Sequence, residues 1–234
     1  MAKRVAIVQS NYIPWKGYFD LIRAVDEFIL YDDVQYTRSD WRNRNKIKTP
    51  QGSQWLTIPV EVKGKYYQSI QHTRISDPGW ARQHWRTICH NYARAPYFAA
   101  YREQFEHLYL GCEENLLSCV NHRFLGAICA MLGIGTQISW SMDYPVASAK
   151  TERLVDLSRL VGATEYLSEP AAKHYIVPEL FEPAGITLCF ATYCDYPEYP
   201  QMFGSFERGV SIVDLLFNTG PKAAQYLKRL YECT

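Results

Sequence analysis

The sequence predicts a three-layer α/β domain of Rossmann-like type, built on a parallel sheet with a β-hairpin and a helical insertion. Three observations lead there. Residues 5–8 (VAIV) and 28–31 (FILY) are short, continuous apolar runs of the kind that suits strands buried on both faces. Between them Phe19, Ile22 and Val25 recur at helical spacing, so strand, helix and strand fit a βαβ unit of about 30 residues. Strands and helices alternate again after residue 135. All 234 residues read as one α/β domain, with residues 38–62 as a hairpin insertion and 77–133 as a helical one.

Taken in order, the first strand leads into Gln9, Ser10 and Asn11. Pro14 stands where a helix can begin, since its missing N–H costs nothing in the first turn. Gly17 would let another backbone come close. The second strand ends in Asp32 and Asp33, with Gln35 just beyond. In open α/β sheets ligands bind past the carboxyl ends of such strands. A cleft lined by Gln9, Asn11, Tyr12, Asp33 and Gln35 is therefore expected there.

Residues 42–48 and 54–60 read as a hairpin across the turn at Pro50, Gln51 and Gly52. An extended 42–48 puts Arg42, Arg44, Lys46 and Lys48 on one face and Trp41, Asn43, Asn45 and Ile47 on the other. Four cations along roughly 20 Å suit a diphosphate or another polyanion better than one carboxylate. A solvated, charged strand face is the plainer alternative. The interleaved Trp41, Asn43 and Asn45 favour a binding role, so the row is expected to face a common anionic ligand.

Beyond the hairpin, Ser76 to Pro78 open a helix carrying Trp80, His84, Trp85, Ile88 and Tyr92. A second runs to about Leu110 and ends at Gly111. A third, over 113–132, ends at Gly133. Their aromatics are expected in a core. Strands then fall at 136–140, 164–168 and 186–191, with a helix over 150–161. Two helices close the chain, at 211–218 and 221–231. Ser211 suits either a phosphate contact or a plain N-cap.

Composition narrows the function. Lys and Arg total 25 against 24 Asp and Glu, a net charge of +1, which lacks the basic footprint of a nucleic-acid binder. Seven cysteines, with no C-x-x-C spacing and no signal-like segment before Val5, read as reduced thiols in a cytosolic protein. The most apolar segment, 124–134, is too short to span a membrane. None of the six histidines has zinc-ligand spacing. P-loop and G-x-G-x-x-G patterns are absent.

The runs QSNYIPWKGYF, DDVQY, WRNRNKIKTPQG and WLTIPV resemble the WbqC-like family. Later pieces agree with it: EYLS at 165–168, YPQ at 199–201 and SIVDLLFN at 211–218. The resemblance covers nearly the whole chain and implies a place in bacterial O-antigen or other surface-polysaccharide synthesis. Glu169 departs from the family, which tends to have Gly after YLS. The PWKGY element is also similar to the H-x-G-H element of the nucleotidyltransferase (HUP-like) fold, which steadies a phosphoryl transition state at a helix start. Here Trp15 and Tyr18 replace both histidines.

These readings combine into a site. Substrate-binding candidates are Gln9, Asn11, Tyr12, Trp15, Asp32, Gln35, Arg42, Asn43, Arg44, Asn45, Lys46 and Lys48. Catalytic candidates are Asp33, Tyr18 and His174. The Asp32–Asp33 pair suits Mg²⁺ beside a phosphorylated substrate, a general base, or a simple turn cap. The expected function is transfer of an acyl, aminoacyl or nucleotidyl group involving a phosphorylated or nucleotide-linked small molecule. A non-catalytic binding or scaffold protein of the same pathway is the alternative.

Overall fold

The computed structural model describes residues 2–193, 195–228 and 231–233. In chain order the elements are β1 (Arg4–Val8), α1 (Lys16–Arg23), β2 (Glu27–Leu30), β3 (Arg44–Thr49), β4 (Gly52–Thr57), α2 (Trp80–Tyr92), α3 (Phe98–Leu110), α4 (Leu117–Met131), β5 (Gln137–Trp140), α5 (Lys150–Leu160), β6 (Glu165–Ser168), β7 (Thr187–Ala191), α6 (Ile212–Thr219) and β8 (Tyr231–Cys233). The main sheet runs β5-β2-β1-β6-β7-β8. Its first five strands are parallel, and β8 joins the edge antiparallel to β7. Counted in chain order, the parallel strands stand 3-2-1-4-5, a Rossmann-like layout whose order reverses between β1 and β6.

The alternation of side chains sorts the core into two layers. Ala6, Val8, Phe28 and Leu30 share one apolar cluster with Phe19 of α1, Phe124 of α4 and Phe217 of α6. Val5, Ile7 and Ile29 share another with Leu154 and Leu157 of α5 and with Phe181. The sheet is thus the middle of three layers. The helices within 77–133 have no separate core: Trp80, Phe105 and Phe124 belong to the first cluster. Among the described residues no helix is long and apolar enough to cross a membrane.

The β3–β4 hairpin is antiparallel, with Arg44 opposite Thr57 and Thr49 opposite Gly52. Gly52 closes the two-residue turn at φ 107°, a conformation that favours glycine. The hairpin is fastened to the body by backbone. Ser211 donates its N–H to the Lys46 carbonyl (2.8 Å), and Ile212 donates to the Pro14 carbonyl (2.9 Å). Ser211 itself is a plain N-cap, its hydroxyl accepting from the Val213 N–H. Behind it Asp214, fully buried, accepts from the hydroxyls of Tyr92 and Tyr199, both at 2.8 Å. Burial pushes its carboxyl up, and the two tyrosines pull it back down.

The end of the chain departs from expectation. A helix over 221–231 is replaced by a 3-10 turn, Gly220–Tyr226, followed by β8. Pairing β8 on β7 covers a sheet edge that would otherwise lie open. Cys189 is disulfide-bonded, which corrects the expectation that every cysteine is a reduced thiol. Its register partner across β7–β8 is Cys233. Cysteine chemistry therefore no longer argues for a reducing compartment. Cys89, Cys112, Cys119 and Cys129 are free.

The Asp214 cluster generates the first prediction. Asp214→Ala leaves two buried hydroxyls without their acceptor, and each orphaned group costs about 1–3 kcal/mol. Urea unfolding should show a loss of roughly 2–5 kcal/mol, and Tyr92→Phe a smaller one. Equal stability of Asp214→Ala and the parent would mean that the cluster is not structural.

Candidate functional site

When β1 ends at Val8, its chain leaves the sheet but stays inside the molecule, so the next peptide groups need other partners. The Gln9 carbonyl accepts from Tyr18 Oη (2.9 Å) and Arg42 Nη1 (3.1 Å). The Ser10 N–H donates to Asp32 Oδ1 (2.8 Å). Tyr12 donates its N–H to the Trp41 carbonyl (3.1 Å), and its own carbonyl accepts from Asn45 Nδ2 (3.2 Å). Asn121 reaches in from α4 to bond both Ser10 Oγ and the Arg42 carbonyl, each at 2.9 Å. Ile13, buried and β-branched, is held at φ 35°, in the left-handed region.

The PWKGY element then starts α1 in an unexpected way. A Cβ placed on Gly17 would meet the Trp15 indole at 2.3–2.7 Å, so glycine here admits that ring rather than another backbone. The indole lies across the first turn of α1 and meets Tyr193 and Tyr196 edge-on, at centroid distances of 5.2 and 5.4 Å. Lys16 turns inward. Its ammonium donates to the Pro197 carbonyl (2.9 Å) and lies near the rings of Tyr196 and Tyr199. Burial lowers its pKa to about 8, although Asp20 works the other way.

A cleft of about 520 Å³ opens where the strand order reverses. The β1–α1 loop gives it Asn11, Pro14 and Trp15, and the hairpin gives it Trp41, Arg42 and Asn45. Glu169, Pro170 and Ala171 follow β6; Tyr193 follows β7; Gly209 completes the lining. Arg42 also donates to Asn11 Oδ1 and lies 3.6 Å from Asp40, while its Nε is buried without a hydrogen-bond partner among the described residues. Glu169 Oε1 is 3.5 Å from Tyr193 Oη. Burial raises the Glu169 carboxyl, Arg42 and Tyr193 draw it down, and Asp40 adds a small upward push. A flat or ring-shaped group can pack on Trp15, Trp41 and Tyr193, with cationic and anionic side chains within the same space.

Of the candidates read from the sequence, Asn11, Trp15, Arg42 and Asn45 come together in this cleft. Others are placed elsewhere. Tyr12 is fully buried among the helices, its hydroxyl 2.9 Å from His84 Nδ1 and 2.7 Å from Tyr109 Oη. Tyr18 is buried and spends its hydroxyl on the Gln9 carbonyl, and Gln9 itself offers that carbonyl rather than its side chain. Asn43 is buried and bonds the Ile58 carbonyl. Gln35 donates to the Tyr66 carbonyl in a separate depression. His174 is exposed at the end of a 3-10 turn, Pro170–His174, and is not among the cleft's lining residues.

The two aspartates part company. Asp32 is fully buried and accepts from Ser10 N and Ser118 Oγ. Asp33 pairs with Arg153 and accepts from Ser141 Oγ (2.6 Å). Both carboxylates are committed to the protein and neither lines the cleft, so the pair does not fit Mg²⁺ there.

The basic row alternates as expected but does not converge on one ligand. Only Arg42 enters the cleft. Arg44 and Lys46 lie on the outer face over the Trp55 ring, 4.2 and 5.1 Å from its centroid. Lys48 is buried, donating to Gln201 Oε1 (2.9 Å) and the Ser205 carbonyl (2.6 Å). Trp55 in turn packs against Trp41 at 5.4 Å, and both remain about 40% exposed, at 39% and 41%. The cleft therefore opens onto an aromatic and cationic surface. Glu169, Tyr193 and Trp41 were not singled out as site residues. Trp41 was legible only as an aromatic interleaved with the basic row and Glu169 only as a departure from the family pattern, while Tyr193 carried no signal.

A model of the WbqC-like protein family matches residues 9–226. The uncharacterized protein Rv1507c of Mycobacterium tuberculosis (strain ATCC 25618 / H37Rv) is 51% identical over 226 residues, 97% of this chain and 98% of its own length. No solved structure matches.

The floor of α1 generates a pH prediction. Burial raises Asp20 from the usual carboxylate range to about 6. Between about pH 4 and 6 the native state then binds more protons than the unfolded chain, so stability falls as pH rises through that window. Two pK units correspond to at most roughly 3 kcal/mol. Asp20→Asn should flatten the slope of stability between pH 4 and 6. An unchanged slope in urea titrations would show that Asp20 ionises normally.

Proposed function

The chain belongs to the WbqC-like protein family, and from that premise we propose that its switch-point cleft binds a phosphorylated or nucleotide-linked small molecule and serves group transfer on it. One observation carries the reading: Arg42 is drawn from the hairpin to the end of β1 and enters the cleft between aromatic walls. A guanidinium with a fixed orientation suits phosphate, and its charge-assisted bonds are the strong kind. Asn11 adds a hydrogen-bonding side chain for the uncharged part, while Asn45 holds the loop behind it. Trp41 and Trp55, flanked by Arg44 and Lys46, offer a stacking surface for a base outside the cleft.

What covers α1 favours one reaction class over the other. In a nucleotidyl transfer of the H-x-G-H type, the helix start faces the phosphates. Here the Trp15 indole lies over that turn. Acyl or aminoacyl transfer is therefore the better supported chemistry, on a fold that we place near the nucleotidyltransferase-like group. Surface-polysaccharide synthesis is the setting that the family resemblance implies. A second reading, a non-catalytic binding protein, draws support from the positions of Asp33, Tyr18 and His174, none of which lines the cleft.

Calorimetric titration with glucose 1-phosphate and UDP-glucose tests the proposal. Arg42→Ala should weaken both by about 10- to 100-fold, the equivalent of roughly 1.5–3 kcal/mol for a bond to a charged group. Arg42→Lys, which keeps the charge, should recover part of that loss. Trp55→Ala should weaken UDP-glucose only. Because Arg42 also supports Gln9 and Asn11, melting temperatures of each variant separate lost binding from lost folding. Full affinity in a folded Arg42→Ala protein, or no binding by the parent, would sink the reading.

A further inference from the structure

We propose that the ligand of this cleft carries a cationic amine as well as its anionic group, and that the Glu169 carboxylate is the residue that reads the amine. The inference rests on the cleft being a phosphate-binding site, as argued above, and narrows its substrate to amino-bearing compounds such as amino-sugar phosphates. Glu169 follows β6 directly, with ordinary extended backbone angles (φ −71°, ψ 149°), so nothing in the backbone requires glycine there. Its side chain lines the cleft beside Trp15, Pro170 and Tyr193.

Among the described residues no cation forms an ion pair with that carboxylate, and Arg42 acts on it only from beyond ion-pair distance. Arg42 lines the same cleft but makes its ion pair with Asp40 and its hydrogen bonds with Gln9 and Asn11. Lys173, four residues on, lies 5.0 Å from the centroid of the Phe190 ring. Glu169 makes a long polar contact with the Tyr193 hydroxyl, at 3.5 Å. A carboxylate half-buried beside aromatics and without an ion-pair partner is costly, and that cost is relieved when the ligand brings the positive charge. A ligand hydroxyl would supply a hydrogen bond but leave the half-buried charge without an ion-pair partner. An ammonium supplies both, and the faces of Trp15 and Tyr193 add cation–π attraction.

The charges are also spaced for such a ligand. Arg42 enters from the β1 side through its bonds to Gln9 and Asn11, whereas Glu169 enters from the β6 side. The two are not in ion-pair contact with each other, so one molecule can span them, phosphate toward Arg42 and ammonium toward Glu169. Such an assignment gives a binding protein or a transferase the same selectivity, since an amine is both a recognisable cation and, once deprotonated, an acyl acceptor.

Matched probes test this: glucosamine 1-phosphate against glucose 1-phosphate, titrated calorimetrically at pH 7 and low salt. The parent should bind the amine about tenfold or more tightly, the scale of one charge-assisted contact. Glu169→Gln should erase that preference. Glu169→Asp, which keeps the charge one methylene back, should restore part of it. Equal affinities for the two probes in the parent, or a preference that survives Glu169→Gln, would overturn the inference. If glucose 1-phosphate binds and depends on Arg42 while the amine adds nothing, the phosphate reading stands and the amine reading falls. If the parent binds neither probe, both fall together.

Discussion

The peptide groups of residues 9–14 leave the sheet before they leave the interior, and most of the site depends on how they are satisfied. A buried N–H or carbonyl without a partner costs about as much as several ordinary surface contacts. The partners come from α1, the end of β2, the hairpin and α6. Tyr18 of α1 and Arg42 share the Gln9 carbonyl, Asp32 takes the Ser10 N–H, Asn45 bonds the Tyr12 carbonyl and Ile212 of α6 bonds that of Pro14. The hairpin is consequently tied down over the end of β1, and Arg42 is oriented as a by-product of bonding the backbone. That explains why polar residues crowd into residues 9–60. Many of them hold the loop, and a few of those also face the cleft.

The same fact sets the limit on what could be read from the sequence. The βαβ start was legible because four apolar residues in a row, then a helical period, then four more, admit few other folds. The reversal of strand order was not, since nothing local tells β6 to pair with β1. Alternation in β3 put Arg44, Lys46 and Lys48 on one face, but period alone carries no destination. Lys48 is buried against Gln201 and Ser205, about 150 residues further on. Tyr12 and Asn11 are neighbours, yet one enters the helical core and the other the cleft. Asp33 looked like a base because it ends a strand, and its commitment to Arg153 could not be foreseen from either residue. Glu169 and Tyr193 reach the cleft through the switch point, so their roles emerge only with the topology.

Ile13 shows how the loop keeps its shape. A β-branched residue in the left-handed region stores on the order of 1–3 kcal/mol, which persists only where the surroundings over-determine it. On one side Tyr12 is locked by His84 and Tyr109, and on the other the Pro14 carbonyl is held by α6. The helical segment at 77–133 and the late α6 therefore reach the site indirectly, by preventing this turn from relaxing. Motifs far from the cleft, SIVDLLFN among them, acquire a reason to be where they are without touching a ligand.

Trp15 makes the last step. In a glycine-containing strand-to-helix turn, the missing Cβ usually leaves the helix N-terminus open to an anion, whose charge is met by backbone dipoles. Gly17 leaves that opening, and the indole of Trp15 fills it. Any anion in this cleft must then be met by side chains, and Arg42 is the cation among the lining residues. Backbone dipoles are fixed and carry no proton, whereas a guanidinium opposed by Asp40 and sharing its cleft with Glu169 belongs to a set of charges that one ligand can complete. The glycine that would leave a helix start bare here seats an aromatic ring, and the wall of the cleft is a side chain where a backbone terminus would otherwise stand.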